Sequence, residues 1–238
     1  MPLWIKICAT TSLEDAQLAA EADAVGFVFA PSPRRVTPAQ VAAIVPHLPA
    51  ALEKIGVFVD APLAEIASTV EACGLTGVQL HFDAAPEIPA GLRARFGRSL
   101  RILRVVHFDS TRITDSAAEH EILPADKGAD KILTFASPFL DSNVDAILVD
   151  SYSLTTRGGT GQRFDWGLAA VTIFQTTGKP KVAAGGLTPE NVAEAIAVLK
   201  PWGVDVVSGV EAAPGRKDPA RVRAFIANAL AAGRALKR

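Results

Sequence analysis

Eight short apolar runs, each followed by helix-like sequence, repeat along these 238 residues. The runs lie near 3–8, 24–29, 53–59, 77–81, 101–107, 145–150, 180–184 and 204–208, and are rich in Val, Ile and Phe. Near-continuous apolar character suits parallel strands covered by helices, and strand–helix alternation makes βαβ units. Eight units in a chain close to the roughly 250 residues of a (β/α)8 barrel predict an α/β fold closed into one TIM barrel, a single domain spanning 1–238. No Gly-x-Gly-x-x-Gly follows the first run, so the main signal for an open doubly wound sheet is missing.

Helix signals sit between the runs. Ser12 precedes the Ala-rich stretch Leu13 to Ala22 as an N-cap, and Thr37-Pro38-Ala39-Gln40 offers a cap, a first-turn proline and a glutamine at the third position. Pro62 to Cys73 stops at Gly74, a C-cap signal. Thr188-Pro189-Glu190-Asn191 and Asp218-Pro219-Ala220-Arg221 each read as a cap followed by proline, and a helix is expected to begin at Phe164-Asp165-Trp166. Residues 109–140 are long, polar and poorly periodic. They read as the fifth βα loop and a helix around 129–138, with an inserted stretch near 109–128.

Hydrophobic residues make up 49% of the chain, which excludes intrinsic disorder. Lys+Arg number 24 and Asp+Glu 25, a balance that offers no nucleic acid or other polyanion a general attraction. There is no basic-then-apolar leader and no apolar run of about 18 residues, so the expectation is a cytoplasmic protein without membrane contact. Cys8 and Cys73 are too few for a disulfide framework, and the scattered His47, His81, His107 and His120 form no metal motif.

Barrel chemistry occurs where the strands end, on the C-terminal face. The first run stops at Cys8 and the sixth at Asp150. Cys8 is either a buried filler or a thiolate base. Asp150 is either a cap for the next loop or a catalytic carboxylate. Lys6 shares a side with Cys8 only if the strand stays regular to its end, so activation of the thiol is expected from the barrel mouth. The loop Thr155 to Gly161 is glycine-rich and reads as a lid or as a plain connector. Gly185-Gly186 follows the seventh run and Ser208-Gly209 closes the eighth, the ordinal positions where barrels bind phosphate. Glycines there let backbone N–H groups approach the anion. Asp205 orients a substrate hydroxyl or satisfies internal polar groups. Arg34 and Arg35 sit in a proline-stiffened loop at the same face, where a guanidinium could hold a carboxylate by two bonds. His81 and His107 end the fourth and fifth runs, and a supporting or packing role is expected for His81.

Lys6-Ile7-Cys8, Thr11 with Leu13-Glu14-Asp15-Ala16, and Asp23 to Phe29 resemble the opening of the phosphoribosylanthranilate isomerase family. Ser32-Pro33-Arg34, Gly56 to Val59, Val78 to His81, Leu148-Val149-Asp150, Gly158 to Gly161, Phe164-Asp165-Trp166, Gly185-Gly186-Leu187 with Pro189 to Val192, and Val204-Asp205 with Ser208 to Glu211 and Pro214-Gly215 continue the likeness in order over nearly the whole chain. The resemblance implies a barrel of the ribulose-phosphate-binding type. Its reaction is the Amadori rearrangement of N-(5-phosphoribosyl)anthranilate in tryptophan biosynthesis, without cofactor or metal. Carried over by position, Cys8 is the base and Asp150 the acid. Arg34, not Arg35, meets the anthranilate carboxylate. Gly185, Gly186, Ser208 and Gly209 bind phosphate, and Asp205 contacts the substrate. Such chemistry asks for a depressed Cys8 pKa and a raised Asp150 pKa. Members of the family occur as monomers and homodimers.

Ala9 and Phe82 stand where the family usually has glycine. Two competing expectations are a sister phosphosugar isomerase or synthase on the same barrel, and a non-catalytic phosphosugar-binding protein. A synthase would want lysines at strand ends, and Lys6 is two residues short of one. A histidine/tryptophan isomerase would want aspartate where Cys8 stands. Keeping both Cys8 and Asp150 opposes loss of catalysis.

Overall fold

The computed structural model describes residues 2–108, 141–151, 165–174 and 178–236. Eight parallel strands close into a barrel in chain order: β1 (Trp4–Ile7), β2 (Ala24–Val28), β3 (Glu53–Phe58), β4 (Gly77–Leu80), β5 (Arg101–Phe108), β6 (Ala146–Ser151), β7 (Lys181–Ala183) and β8 (Gly203–Val206). The ring closes where β1 pairs with β8, with Lys6 opposite Asp205. Every expected run overlaps its strand, and β5, β6 and β8 each extend one residue beyond theirs, at Phe108, Ser151 and Gly203. The helices described are α1 (Leu13–Leu18), α2 (Pro38–Ile44), α3 (Leu63–Cys73), α4 (Glu87–Phe96), α5 (Trp166–Ala169), α6 (Val192–Leu199) and α7 (Pro219–Ala235). The segment near 109–128, the helix expected around 129–138 and the loop Thr155 to Gly161 lie outside the described residues.

Side-chain caps set the start of four of the seven described helices. Ser12 Oγ accepts from the Asp15 amide at the start of α1. Thr37 and Gln40 form a reciprocal capping box on α2, Asp165 caps α5, and Asp218 accepts from two amides at the start of α7. Each such cap contributes about 1 kcal/mol. Gly74 ends α3 at φ 62°, the left-handed conformation that a residue without Cβ adopts most cheaply. The helix expected over Leu13 to Ala22 stays α-helical only to Leu18 and tightens to a 3-10 turn over Ala19–Glu21.

Thr188 does not cap a helix as its sequence suggested. α6 starts at Val192, and Asn191 instead folds back, accepting from the Thr188 amide at 2.8 Å and donating to the Gly186 carbonyl at 2.9 Å. An antiparallel hairpin, β9 (Glu211–Ala213) and β10 (Arg216–Lys217), was not expected and follows β8 through a 3-10 turn at Ser208–Val210.

Two apolar cores result among the described residues. The larger one contains Ile5, Ile7, Phe27, Ile66, Ile102, Ile196 and Phe225. The smaller gathers Trp4, Ile55, Leu103, Leu148 and Val182. Alternation puts Trp4, Lys6 and Cys8 on one side of β1. Lys6 reaches Gln79 of β4 and Asp205 of β8, so that side is the barrel interior. Each fully buried aliphatic side chain contributes about 1.5–3 kcal/mol, which offsets the burial of charge in the next layer up.

Candidate active site

The site is built from strand ends. Cys8 follows β1 and is 3% exposed. Its amide donates to Val206 of β8, and two residues on both the amide and hydroxyl of Thr10 donate to the Gly26 carbonyl of β2. The backbone is thus fastened to both neighbouring strands, and Ala9 between the two anchors takes φ 60°. Gly26 makes room for the thiol, since a Cβ there would lie 2.5 Å from Cys8 Sγ and 3.0 Å from Lys6 Cε.

Beneath Cys8, Lys6 Nζ donates to Asp205 Oδ1 at 3.0 Å and to Gln79 Oε1 at 2.8 Å. All three side chains are buried. Burial alone would lower the Lys6 pKa, but Asp205 and Cys8 outweigh it and the ammonium is held above its ordinary range. Burial also dominates at Cys8 and pushes the thiol up, opposed by Lys6 and Lys217 and reinforced by Asp205. The depressed thiol pKa expected from the sequence is therefore not found in the ligand-free protein. Lys6 faces the thiol after all, because β1 keeps its alternation to the end.

Across the barrel, Asp150 is the penultimate residue of β6 and lies beside His107 of β5, its register partner. His81, just past β4, brings Nε2 to 4.0 Å from Asp150 Oδ2. The His81 and His107 rings meet edge to face with centroids 5.2 Å apart. Burial, His107 and Lys6 lower the His81 pKa to about 4, so its ring is neutral at neutral pH. Phe82 is half-buried against the larger core.

Arg34 is held from one edge by Glu211, with Nε and Nη2 on its two carboxylate oxygens at 2.7–3.1 Å. Lys217 and the Gly215 amide also bind Glu211. The hairpin after β8 thereby fixes the guanidinium, and the Thr11 hydroxyl bonds the Gly215 carbonyl at 2.6 Å to join the loop after β1. Gly185 and Gly186 follow β7 at φ 80° and 65°. Gly209 packs its Cα against the Leu187 carbonyl so closely that no Cβ fits. The loops bearing Gly185, Gly186, Ser208 and Gly209 therefore touch at the face where Cys8 and Asp150 emerge. Asp205 lies one layer deeper, against Lys6.

The sequence reading gave no role to Lys6, Gln79, Glu211 or Lys217. Lys6 could have been found, because a lysine two residues before Cys8 in an apolar strand and an aspartate inside another are charges that must meet if both are buried. Gln79 and Glu211 carry no such signal.

His81, His107 and Asp150 offer donor atoms within 4.8 Å of one another, a spacing a cation could span after small rotations. No described helix is long and apolar enough to cross a membrane.

A family model for N-(5'phosphoribosyl)anthranilate (PRA) isomerase matches residues 5–228. The N-(5'-phosphoribosyl)anthranilate isomerase of Pelobacter propionicus is 43% identical over 225 residues, which cover 93% of this chain and 93% of that one. The crystal structure of phosphoribosyl anthranilate isomerase from Thermotoga maritima matches with a TM-score of 0.74 at 33% identity, over 95% of this chain and 98% of that chain. A phosphoribosyl anthranilate isomerase in complex with reduced 1-(o-carboxyphenylamino)-1-deoxyribulose 5-phosphate matches with a TM-score of 0.71 at 33% identity, with the same coverage.

Proposed function

The chain belongs to the N-(5'-phosphoribosyl)anthranilate isomerase family, and from that premise we propose that it isomerises N-(5'-phosphoribosyl)anthranilate with Cys8 as general base and Asp150 as general acid. The reaction is an aldose–ketose isomerisation in tryptophan biosynthesis. Membership sets aside both competing expectations.

Asp150 protonates the furanose ring oxygen, the ring opens, and the anthranilate nitrogen becomes a protonated imine. Cys8, as thiolate, removes the proton from the adjacent sugar carbon. The electron pair of that C–H bond moves toward the imine nitrogen and gives an enolamine, which tautomerises to the ketone. One observation supports this reading above the others: Cys8 stands directly over a buried ammonium. Lys6 answers the negative charge of the thiolate at the moment it is needed, in surroundings where burial otherwise favours the thiol.

The remaining groups orient the substrate. Arg34, gripped by Glu211 along its Nε edge, leaves its other edge toward the anthranilate carboxylate. The touching loops of Gly185, Gly186, Ser208 and Gly209 take the phosphate. Asp205 gives one oxygen to Lys6 and offers the other to a substrate hydroxyl.

The experiment generates phosphoribosylanthranilate in place from anthranilate, phosphoribosyl pyrophosphate and the transferase, and follows loss of its fluorescence. Decay faster than spontaneous hydrolysis, lost on Asp150→Asn, is expected. No acceleration by the wild-type protein would refute the reading.

A further inference from the structure

A single polar chain runs from the floor of the site to Asp150, and the chemistry of its members fixes where each proton sits. Lys6 Nζ has hydrogens and no lone pair, so it donates to Gln79 Oε1 at 2.8 Å. That orients the Gln79 amide, whose Nε2 donates to His81 Nδ1 at 3.1 Å. Nδ1 therefore accepts. A neutral imidazole has one ring proton, and here it is on Nε2, the atom that faces Asp150 Oδ2 at 4.0 Å. Gln79 is buried and locked at both ends of its amide, so His81 cannot change tautomer without breaking a bond to a buried ammonium.

We propose that His81 is a positioning residue for the isomerase reaction, presenting a proton on Nε2 to the Asp150 carboxylate through a tautomer imposed by Lys6 and Gln79. The proposal rests on Asp150 being the acid. When Asp150 gives its proton to the ring oxygen, a negative charge is left on its carboxylate, and the His81 N–H becomes a donor to that charge. His81 keeps its own proton throughout. The 4.0 Å gap is about one ångström beyond a hydrogen bond, and catalytic contacts in ligand-free proteins commonly sit long and close with substrate. A bond that strengthens as charge develops acts on kcat more than on KM. The same tautomer makes the trio of His81, His107 and Asp150 a poor cation site, because Nε2 turns a hydrogen toward it rather than a lone pair. Among the described residues, Lys6 from β1, His107 from β5 and Asp150 from β6 are the titratable groups that face His81.

Three variants separate this role from packing, with Asp150→Asn as the reference. His81→Gln keeps a terminal N–H near the Nε2 position, and His81→Leu does not. Gln79→Glu has only oxygens to offer, so it accepts from Lys6 and from Nδ1–H and reverses the tautomer. His81→Leu and Gln79→Glu are expected to lower kcat by about 10- to 100-fold, the effect of one hydrogen bond to a charged group, with little change in KM. The titration that Asp150→Asn removes from the pH profile should move to higher pH in both, because the carboxylate has lost a donor. His81→Gln should recover most of the turnover. A long-range 15N–1H spectrum of the wild-type protein should place the His81 proton on Nε2, whether or not any variant folds.

A fully active His81→Leu beside an inert Asp150→Asn would overturn the proposal alone. So would equal impairment of His81→Leu and His81→Gln with the Asp150 titration unmoved, or a proton found on Nδ1. A fully active Asp150→Asn would overturn the acid assignment and this proposal with it.

Discussion

Lys6 is fully buried, and removing an ammonium from water costs several kcal/mol unless a carboxylate answers it. Asp205 does so, and the resulting cation stands under Cys8. Lys6→Met should lose about 3–5 kcal/mol of stability in denaturant unfolding, because Asp205 is left buried and unpaired. It should also drive the Cys8 thiol further up, read as thiolate absorbance against pH. Adding Asp205→Asn should restore much of the stability but only part of the thiol shift, because it removes the carboxylate that pushes the thiol up and leaves the lost cation unreplaced. Ala9 calls for the opposite change. It holds φ 60° because the anchors on either side leave it no choice, and an alanine in that region costs about 1 kcal/mol relative to glycine. Ala9→Gly should raise stability by about that amount and leave turnover intact. His81 adds a pH dependence. Its folded pKa of about 4 lies below the ordinary 6.5, so the unfolded chain binds the extra proton between those values. The stability it contributes is complete above pH 6.5 and falls by up to about 3 kcal/mol as pH drops to 4. His81→Gln should flatten that part of the curve. Cys8, Asp150 and Arg34 were readable as candidates because each interrupts or closes an apolar or proline-stiffened stretch. Gln79 and Glu211 were not, since a buried amide and a surface-type acid look ordinary until their partners are in place.

The strands and most of the caps were legible because strand burial and helix capping are local, written in apolar runs and in Ser, Thr, Asp, Pro and Gly at fixed offsets. Thr188-Pro189 misled for the same reason. It has the local form of a cap, but the side chain of Asn191 satisfies both the Thr188 amide and the Gly186 carbonyl. That tether holds the loop of Gly185 and Gly186 in its left-handed turns. Asn191→Ala should raise KM and weaken competitive inhibition by inorganic phosphate, with kcat changed little. On the opposite side of the mouth, Gly26 of β2 works through space rather than through bonds. Gly26→Ala would press its Cβ on Cys8 Sγ and Lys6. A loss of about 1–3 kcal/mol is expected, as for other overpacked interiors, with a drop in kcat that Ala9→Gly does not rescue. The hairpin of β9 and β10 gave no clear strand signal, since it has three residues in one arm and two in the other. Its value lies in carrying Glu211 and Lys217 to Arg34.

The closed ring sets which residues meet. Closure of β1 on β8 puts Lys6 opposite Asp205, and no stretch of chain shorter than the whole barrel could do so. Ring order also leaves Cys8 and Asp150 on strands far apart around the barrel, so a substrate at the mouth can be met by a base from one side and an acid from the other. The barrel was legible from the count of units and the length of the chain. The electrostatic state of its interior was not, because a thiol pKa depends on burial and on cations brought in from residues 6 and 217. The most direct measurement compares binding with turnover in Cys8→Ala, using reduced 1-(o-carboxyphenylamino)-1-deoxyribulose 5-phosphate as the ligand and phosphoribosylanthranilate as the substrate. The expected result is a Kd close to that of the wild-type protein and a kcat lower by about 10²- to 10⁴-fold, the range for loss of a general base. Turnover near the wild-type rate in Cys8→Ala would contradict the assignment.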